Sequence, residues 1–425
     1  MKMRLLTCLP PKISDVLKTI GRLAEAQGIP AYFVGGGIRD IILKRPNLDV
    51  DIVLEADAIK FARGILQRSG FIIKNVYPQF GTVTLEDVGG VKVDLATARK
   101  ETYAHPGALP NVSAGTIHDD LFRRDFSINA MAVLVNPSGW GNLVDDFNGL
   151  VDLKAKKVRI LHEQSFIDDP TRILRAVRFE QRFHFHLEKK TLVFLKEALQ
   201  RNAVAHVKAP RYFEEFKKVL GELPNPSKCL QRLGRLGALG FLSDRYRMPN
   251  GAIRHISQIG KTMSRYLQSV SRDKIVERWL IFFLPLVYKL SLPQLERLIS
   301  RFQCSGEERE KIFSFWQFWH TIDQPSWAKI SPRDIYKRCK PVSLEGFLVL
   351  RVLTSSTAVR SAIDRFLKEF AGVHPEVNGE DLKLAGVKPA KKMGEILQEI
   401  LYQKIEGRVH SYADEIKLAQ TLNSN

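Results

Sequence analysis

The stretch Ala31-Tyr-Phe-Val-Gly-Gly-Gly-Ile-Arg-Asp40, with Leu48-Asp-Val-Asp-Ile-Val53 shortly after it, narrows what the N-terminal part of this chain can build. An apolar strand running into Gly35, Gly36 and Gly37 and then into a helix start brings backbone N–H groups to a surface with no side chain in the way, which suits a polyphosphate. A dinucleotide fingerprint is excluded because Asp40 stands where its third glycine belongs. Asp49 and Asp51 alternate with Leu48, Val50 and Ile52, a strand pattern that puts both carboxylates on one face. Two such acids repel each other unless a cation or a basic group joins them, so the pair is a candidate site for one divalent ion or two close ones. Asp94, in Val91-Lys-Val-Asp-Leu-Ala96, alternates in the same way and is the candidate third carboxylate.

Strand-like runs at 32–34, 49–53, 71–76, 81–85, 91–96 and 131–135 alternate with helical patterns, predicting an α/β head. After Asp152 the glycines thin out, and 3.6-residue periods at 170–183, 189–200 and 210–220 predict helices. Breaks at Pro224-Asn-Pro-Ser, Pro249-Asn-Gly, Gln324-Pro-Ser and His374-Pro-Glu-Val-Asn-Gly379 serve as soft boundaries. The apolar run Trp279-Leu-Ile-Phe-Phe-Leu-Pro-Leu-Val-Tyr288 is about half a membrane span and contains Pro285, so a buried helix is expected and no membrane anchor. The four cysteines are scattered without C-x-x-C spacing, which argues against a zinc site or a disulfide framework and fits a cytoplasmic chain. His184 and His186 lack acids or cysteines at metal spacing. A net charge of +19 over 425 residues points to a polyanionic partner, nucleic acid first.

Two further segments carry polar chemistry. Asp169 and Arg172 stand i, i+3 at the start of a helix whose first turn holds Pro170. A carboxylate accepts and a guanidinium donates, so the pair either forms a helix-end salt bridge or makes a template for a base edge. As a template it takes the amine and ring acceptor of cytosine or adenine. Uracil and guanine would leave groups unpaired, at about 1–3 kcal/mol each. Arg175 and Arg178 continue a basic stripe along that helix, suited to a triphosphate or a primer backbone. Arg123 and Arg124, ahead of the strand-like Phe126-Ser-Ile-Asn-Ala-Met-Ala-Val133, can face the same phosphates, and Asn129 can bond ribose or phosphate.

These segments together resemble the tRNA nucleotidyltransferase and poly(A) polymerase family in its bacterial (class II) form. Gly35, Gly36, Arg39, Asp40, Asp49 and Asp51 fit its G-G-x-V-R-D and D-x-D pattern, with Ile38 in the valine place. Asp120-Leu-Phe-Arg-Arg-Asp-Phe-Ser-Ile-Asn-Ala130 is similar to R-R-D-F-T-I-N-A, and Asp145-Asp-Phe-Asn-Gly-Leu-Val-Asp-Leu153 to D-x-x-x-G-x-x-D-L. Asp168-Asp-Pro-Thr-Arg-Ile-Leu-Arg-Ala-Val-Arg-Phe179 is similar to E-D-x-x-R-x-x-R-A-x-R-F, with Asp168 in place of glutamate. The resemblance implies an α+β chain with a mixed α/β nucleotidyltransferase head at 1–150, then an all-helical neck (151–222), body (223–330) and RNA-binding tail (331–425).

It further implies transfer of nucleotides from ATP, and from CTP where the member uses it, to the 3′ end of tRNA. Asp49 and Asp51 would hold two magnesium ions, with Asp94 as third catalytic carboxylate. Gly35, Gly36, Arg39, Arg124, Asp125, Asn129, Asp169, Arg172, Arg175 and Arg178 would bind the nucleotide, Arg39 and the glycine N–H groups neutralising phosphate charge. Members of the family add CCA, CC only, the terminal A only, or poly(A). The words A-T-A-R-x-E-T-Y and H-P-G-A-L-P between Ala96 and Pro110 favour CCA or terminal-A addition. The segment Val377 to Leu397 resembles the family's tail block, with Ala390 replacing a glycine. A nucleotidyltransferase for small molecules or proteins would not need so basic a chain, and a noncatalytic RNA-binding protein would tolerate loss of Asp49 or Asp51.

Overall fold

The computed structural model describes residues 4–45, 49–243, 245–269, 276–322, 325–387 and 390–424. Leu48, Lys388 and Pro389 lie outside them, as does the side chain of Ala390. The described chain divides into two compact units, residues 1–219 with 228–246 and residues 220–227 with 247–425.

The first unit is built on a seven-stranded mixed sheet. Its strands are β1 (Ala31–Val34), β2 (Asp51–Leu54), β3 (Ile72–Tyr77), β4 (Thr82–Glu86), β5 (Lys92–Thr97), β8 (Ala132–Leu134) and β9 (Leu143–Val144), while β6 (Arg99–Thr102) and β7 (Asn111–Ala114) form a separate hairpin. The order is β3-β4-β5-β2-β1-β8-β9, with β2 and β5 parallel and the other neighbours antiparallel. Alternation decides the faces. Val83, Leu85, Val93 and Leu95 are fully buried, whereas Thr82, Thr84 and Asp94, one residue out of step with them, look the other way. The helix Pro11–Glu25 packs on this sheet with Val16, Leu17, Ile20 and Ala24 buried, so closely that a Cβ on Gly21 would fall 1.9 Å from the Val135 carbonyl oxygen.

All six expected strands are present. The first D-x-D acid is an exception: β2 begins at Asp51, and Asp49 lies exposed on its approach. β1–β2 pairing ends at Phe33 opposite Ile52, whereas β1 stays paired with β8 to Val34 opposite Ala132, and Gly35 turns the chain with φ of +73°. The run Phe126 to Val133 also differs from a continuous strand, since Ser127–Asn129 forms a 3-10 turn before β8.

The helices Thr171–Phe183, Lys189–Gln200 and Ala209–Glu222 follow the predicted periods. The stretch 151–222, expected to be all-helical, departs from that in a short parallel pair, β10 (Lys157–Val158) with β11 (His186–Leu187). The block from Asp145 to Leu153 is structural. Asp145 accepts the Leu150 N–H at 3.0 Å and that of Gly149, and Asp152 accepts Ser127 Oγ at 2.6 Å and Arg159 Nε at 2.7 Å.

The second unit is helical where described. Its apolar helix Arg278–Val287 is buried from Leu280 to Val287, including Pro285, and no described helix is long and apolar enough to cross a membrane. Serines accept backbone N–H groups at the starts of the helices Gly306–Trp319, Pro332–Cys339, Leu344–Leu353 and Thr357–Arg365, supplying partners the helix ends lack.

Candidate active site

Parallel pairing of β2 with β5 sets Asp51 directly opposite Asp94, and Asp94 in turn faces Thr84 on β4. Thr84 donates its hydroxyl to Asp94 Oδ1 at 2.6 Å. Burial pushes the Asp51 carboxyl up to about 6. Arg124 opposes this shift, and Asp94 and Asp49 add to it. Asp49 is placed from the glycine side: a Cβ on Gly37 would meet the Asp49 carbonyl at 2.8 Å and the Phe33 ring at 2.3 Å, so Gly37 serves close packing. Among the described residues no three His, Cys, Asp or Glu side chains stand close enough together to hold a metal ion. Two carboxylates in register with a third nearby, one of them raised by burial and by its acidic neighbours, nevertheless make an oxygen donor set that fits a hard divalent cation.

Beside the acids lie Arg123 and Arg124, anchored on the fully buried Asp120. Arg123 reaches Asp120 Oδ1 with Nε at 2.9 Å and Nη2 at 2.6 Å, and Arg124 Nη2 reaches Oδ2 at 2.9 Å. Burial alone would raise the Asp120 carboxyl, but the two guanidiniums bring it below the usual range. Arg124 Nη1 stands 2.5 Å from where a Gly35 Cβ would be. The positive φ and this approach both require glycine there.

Four sequence-derived candidates are paired with other side chains, although Arg175 also lines the cavity that holds Asp169 and Arg172. Arg39 is 5% exposed, clamps both oxygens of Asp40 at 2.9 and 3.0 Å, donates to Asn129 Oδ1, and lies over the Phe183 and Phe179 rings at 4.7 and 5.4 Å. It holds the glycine turn against the helix Thr171–Phe183 and does not face open phosphate space. Asn129 accepts from Arg39 with its oxygen and donates one amide N–H to Asp125 Oδ1 at 2.8 Å, which braces the Arg39 side chain against Asp125. Arg175 grips Asp125 Oδ2 with Nε at 2.8 Å and with Nη2, and also faces Glu215. Arg178 pairs with Glu215 at 3.3 Å. The expected basic stripe is therefore neutralised by carboxylates from other elements.

Asp169 and Arg172 fare differently. Asp169 Oδ1 accepts the Thr171 N–H at 3.1 Å and its hydroxyl at 2.6 Å, while Oδ2 accepts Arg211 Nη2 at 2.8 Å. Arg172 donates to Ser165 Oγ at 2.6 Å and to the Arg123 carbonyl at 2.8 Å. Each is fixed by its own partners, and both line one cavity of about 530 Å³ with Tyr103, Arg123, Arg124, Asp125 and Arg211. A second cavity, of about 380 Å³, is lined by Asp51, Asp94, Thr84, Arg123 and Arg124. Arg123 and Arg124 belong to both.

Sequence reading missed three wall residues. Tyr103 donates to Glu101 Oε2 at 2.9 Å, and Glu101 also takes Arg99 and Arg123, so the β6–β7 hairpin braces the cavity. The word containing Glu101 and Tyr103 was visible in the sequence, but its place was not. Arg211 had no motif to mark it.

Comparison with known proteins bears on the family and the fold. Residues 31–159 match the family model described as the poly A polymerase head domain. The chain is 30% identical to the A-adding tRNA nucleotidyltransferase of Halalkalibacterium halodurans, over 96% of this chain and 92% of that one. It is 31% identical to the A-adding tRNA nucleotidyltransferase of Geobacter sulfurreducens over 97% of this chain but 47% of that longer protein, so it spans about half the length of that relative. Its fold matches the Thermotoga maritima CCA-adding enzyme complexed with tRNA at a TM-score of 0.71, with 28% identity, covering 98% of this chain and 97% of that one.

Proposed function

The chain belongs to the class II tRNA nucleotidyltransferase family, and from that membership we propose that it extends the 3′ end of tRNA with CCA or its terminal A, using ATP and CTP and releasing pyrophosphate. The observation that carries this reading is the pair of cavities joined at Arg123 and Arg124. A nucleoside triphosphate laid across them has its phosphates beside Asp51 and Asp94 and its base beside Asp169 and Arg172. The names of the A-adding relatives favour terminal-A addition, and the charge of +19 supports RNA as partner. A cytoplasmic location fits that substrate.

Asp49 and Asp51 are the residues to hold magnesium, which when bound supplies Lewis-acid activation of the attacking hydroxyl and charge stabilisation on the phosphates. The chain's own contribution is positional. Arg124, fixed by Asp120, offers a preorganised donor where negative charge grows on the α-phosphate as the primer oxygen bonds to phosphorus and the bond to pyrophosphate breaks. Asp169 takes the exocyclic amine of C or A, and Arg172 donates to the adjoining ring nitrogen. A protein template of this kind needs no nucleic-acid template.

The deciding experiment incubates the protein and magnesium with tRNA transcripts ending before CCA, after CC, or after CCA, with labelled ATP and CTP separately. AMP transfer confined to the CC-ended transcript identifies terminal-A addition, and CMP transfer to the first identifies CC or CCA addition. Long runs of AMP on the last identify a poly(A) polymerase, whereas no transfer on any transcript overturns the proposal. Arg172→Ala should lower the preference for ATP and CTP over GTP and UTP by roughly tenfold or more, measured as ratios of kcat/KM; unchanged ratios would remove Arg172 from base choice.

A further inference from the structure

We propose that Arg211 is a third base-reading group that donates to N7 of an incoming adenine, so that the template selects A against C as well as against G and U. The inference rests on the nucleotidyl-transfer reading above and deepens it. Arg211 comes from the helix Ala209–Glu222, some forty residues beyond Asp169, and lines the same cavity as Asp169 and Arg172. Its Nη2 donates to Asp169 Oδ2 at 2.8 Å, while its Nη1 is buried with no hydrogen-bond partner among the described residues. A buried guanidinium nitrogen left unpaired is costly, and because Arg211 lines the ligand cavity, a small turn of its side chain gives Nη1 a partner in the ligand.

Lone-pair counting then sets the order of groups. A carboxylate offers about four acceptor directions. Thr171 uses the two on Asp169 Oδ1, and Arg211 uses one on Oδ2. The direction that remains takes an exocyclic amine. Arg172 donates one N–H from each terminal nitrogen to Ser165 and the Arg123 carbonyl, which leaves a second N–H on each. The cavity therefore presents donor, acceptor, donor in the order Arg211, Asp169, Arg172. Adenine presents the complement, with N7, the N6 amine and N1 as acceptor, donor and acceptor. Cytosine matches Asp169 and Arg172 through its N4 amine and N3, but it carries a C–H where adenine has N7 and leaves Arg211 Nη1 unpaired.

7-Deaza-ATP, which replaces N7 with a C–H and keeps the rest of the edge, isolates this contact. In single-nucleotide extension of a CC-ended tRNA transcript, wild-type protein should use 7-deaza-ATP with a kcat/KM about tenfold or more below that for ATP. Arg211→Lys keeps a cation beside Asp169 but loses the forked donor. It should bring ATP down to the level of 7-deaza-ATP, and it should lower ATP use more than CTP use on the transcript ending before CCA. Equal use of ATP and 7-deaza-ATP by the wild type overturns the proposal without need of any variant. So does a ratio that survives Arg211→Lys, or a penalty that appears instead with 2′-deoxy-ATP, which would put Nη1 on the ribose. Transfer of CMP alone also overturns it while leaving nucleotidyl transfer standing. Absence of transfer with either nucleotide on every transcript removes the underlying reading instead.

Discussion

Asp51→Asn is expected to abolish nucleotide transfer, with a loss of roughly three orders of magnitude or more in kcat, because the substitution keeps the shape of the side chain and removes the charge that a divalent cation needs. Binding of tRNA should change little, since Asp51 lies on the half-buried floor of its cavity and the attraction for RNA comes from the basic surface. A second signature separates lost chemistry from lost folding. Burial, with Asp94 and Asp49 nearby, lifts the Asp51 carboxyl from 3.8 to about 6 against the pull of Arg124. A folded-state value above the unfolded one means that the native protein holds this proton more tightly. The contribution of this group to stability is therefore full below about pH 4 and is lost as pH rises through 6. In magnesium-free buffer Asp51→Asn should raise the melting temperature at pH 7.5, and the gain should vanish near pH 4. A variant that lost activity, tRNA binding and thermal stability together would count against the cation role.

What the sequence made legible was local. The triple glycine, the alternation on β4 and β5 and the helical period of Lys189–Gln200 are each set by neighbours within a few residues, and each appears where expected. The β6–β7 hairpin escaped notice because Arg99–Thr102 and Asn111–Ala114 are polar and largely exposed, with no apolar alternation to mark them. The site residues show a deeper limit. A row of arginines looks like a phosphate-binding stripe until the carboxylates arrive: Asp125 stands fifty residues before Arg175, and Glu215 thirty-seven after Arg178. Arg39 is similarly satisfied by Asn129, ninety residues away, and by the rings of Phe179 and Phe183. Residue type and spacing could single out these side chains. Whether each remained available to a ligand depended on partners brought in by the fold.

Asp125→Ala tests that distinction from the side of stability, and a loss of about 3 kcal/mol is expected because it leaves the Arg175 guanidinium with the longer Glu215 pairing and takes the acceptor from the Phe126 N–H and the Asn129 amide. Asp125 is 8% exposed and accepts the Phe126 N–H at 2.8 Å, the Asn129 amide and two N–H groups of Arg175. Burial by itself would raise its carboxyl, but Arg175 and the Asn129 amide lead the contacts that hold it at about 2, below the ordinary 3.8. A depressed carboxylate stabilises the fold above its unfolded value and loses that contribution as pH falls toward the folded one. The difference amounts to about 2 kcal/mol, present at neutral pH and lost between about pH 4 and 2. Urea unfolding should show a wide gap between wild type and Asp125→Ala at pH 7, narrowing below pH 4. Adding Arg175→Met should recover part of the loss, because the under-paired charge goes with it. A gap under about 1 kcal/mol at pH 7, or losses that simply add in the double variant, would show that the pair does not brace the site. Arg172 lies one turn before Arg175 on the same helix, so a loosened Asp125–Arg175 pair should also blur base choice. That would place the control of selectivity partly in a contact that need never touch the base.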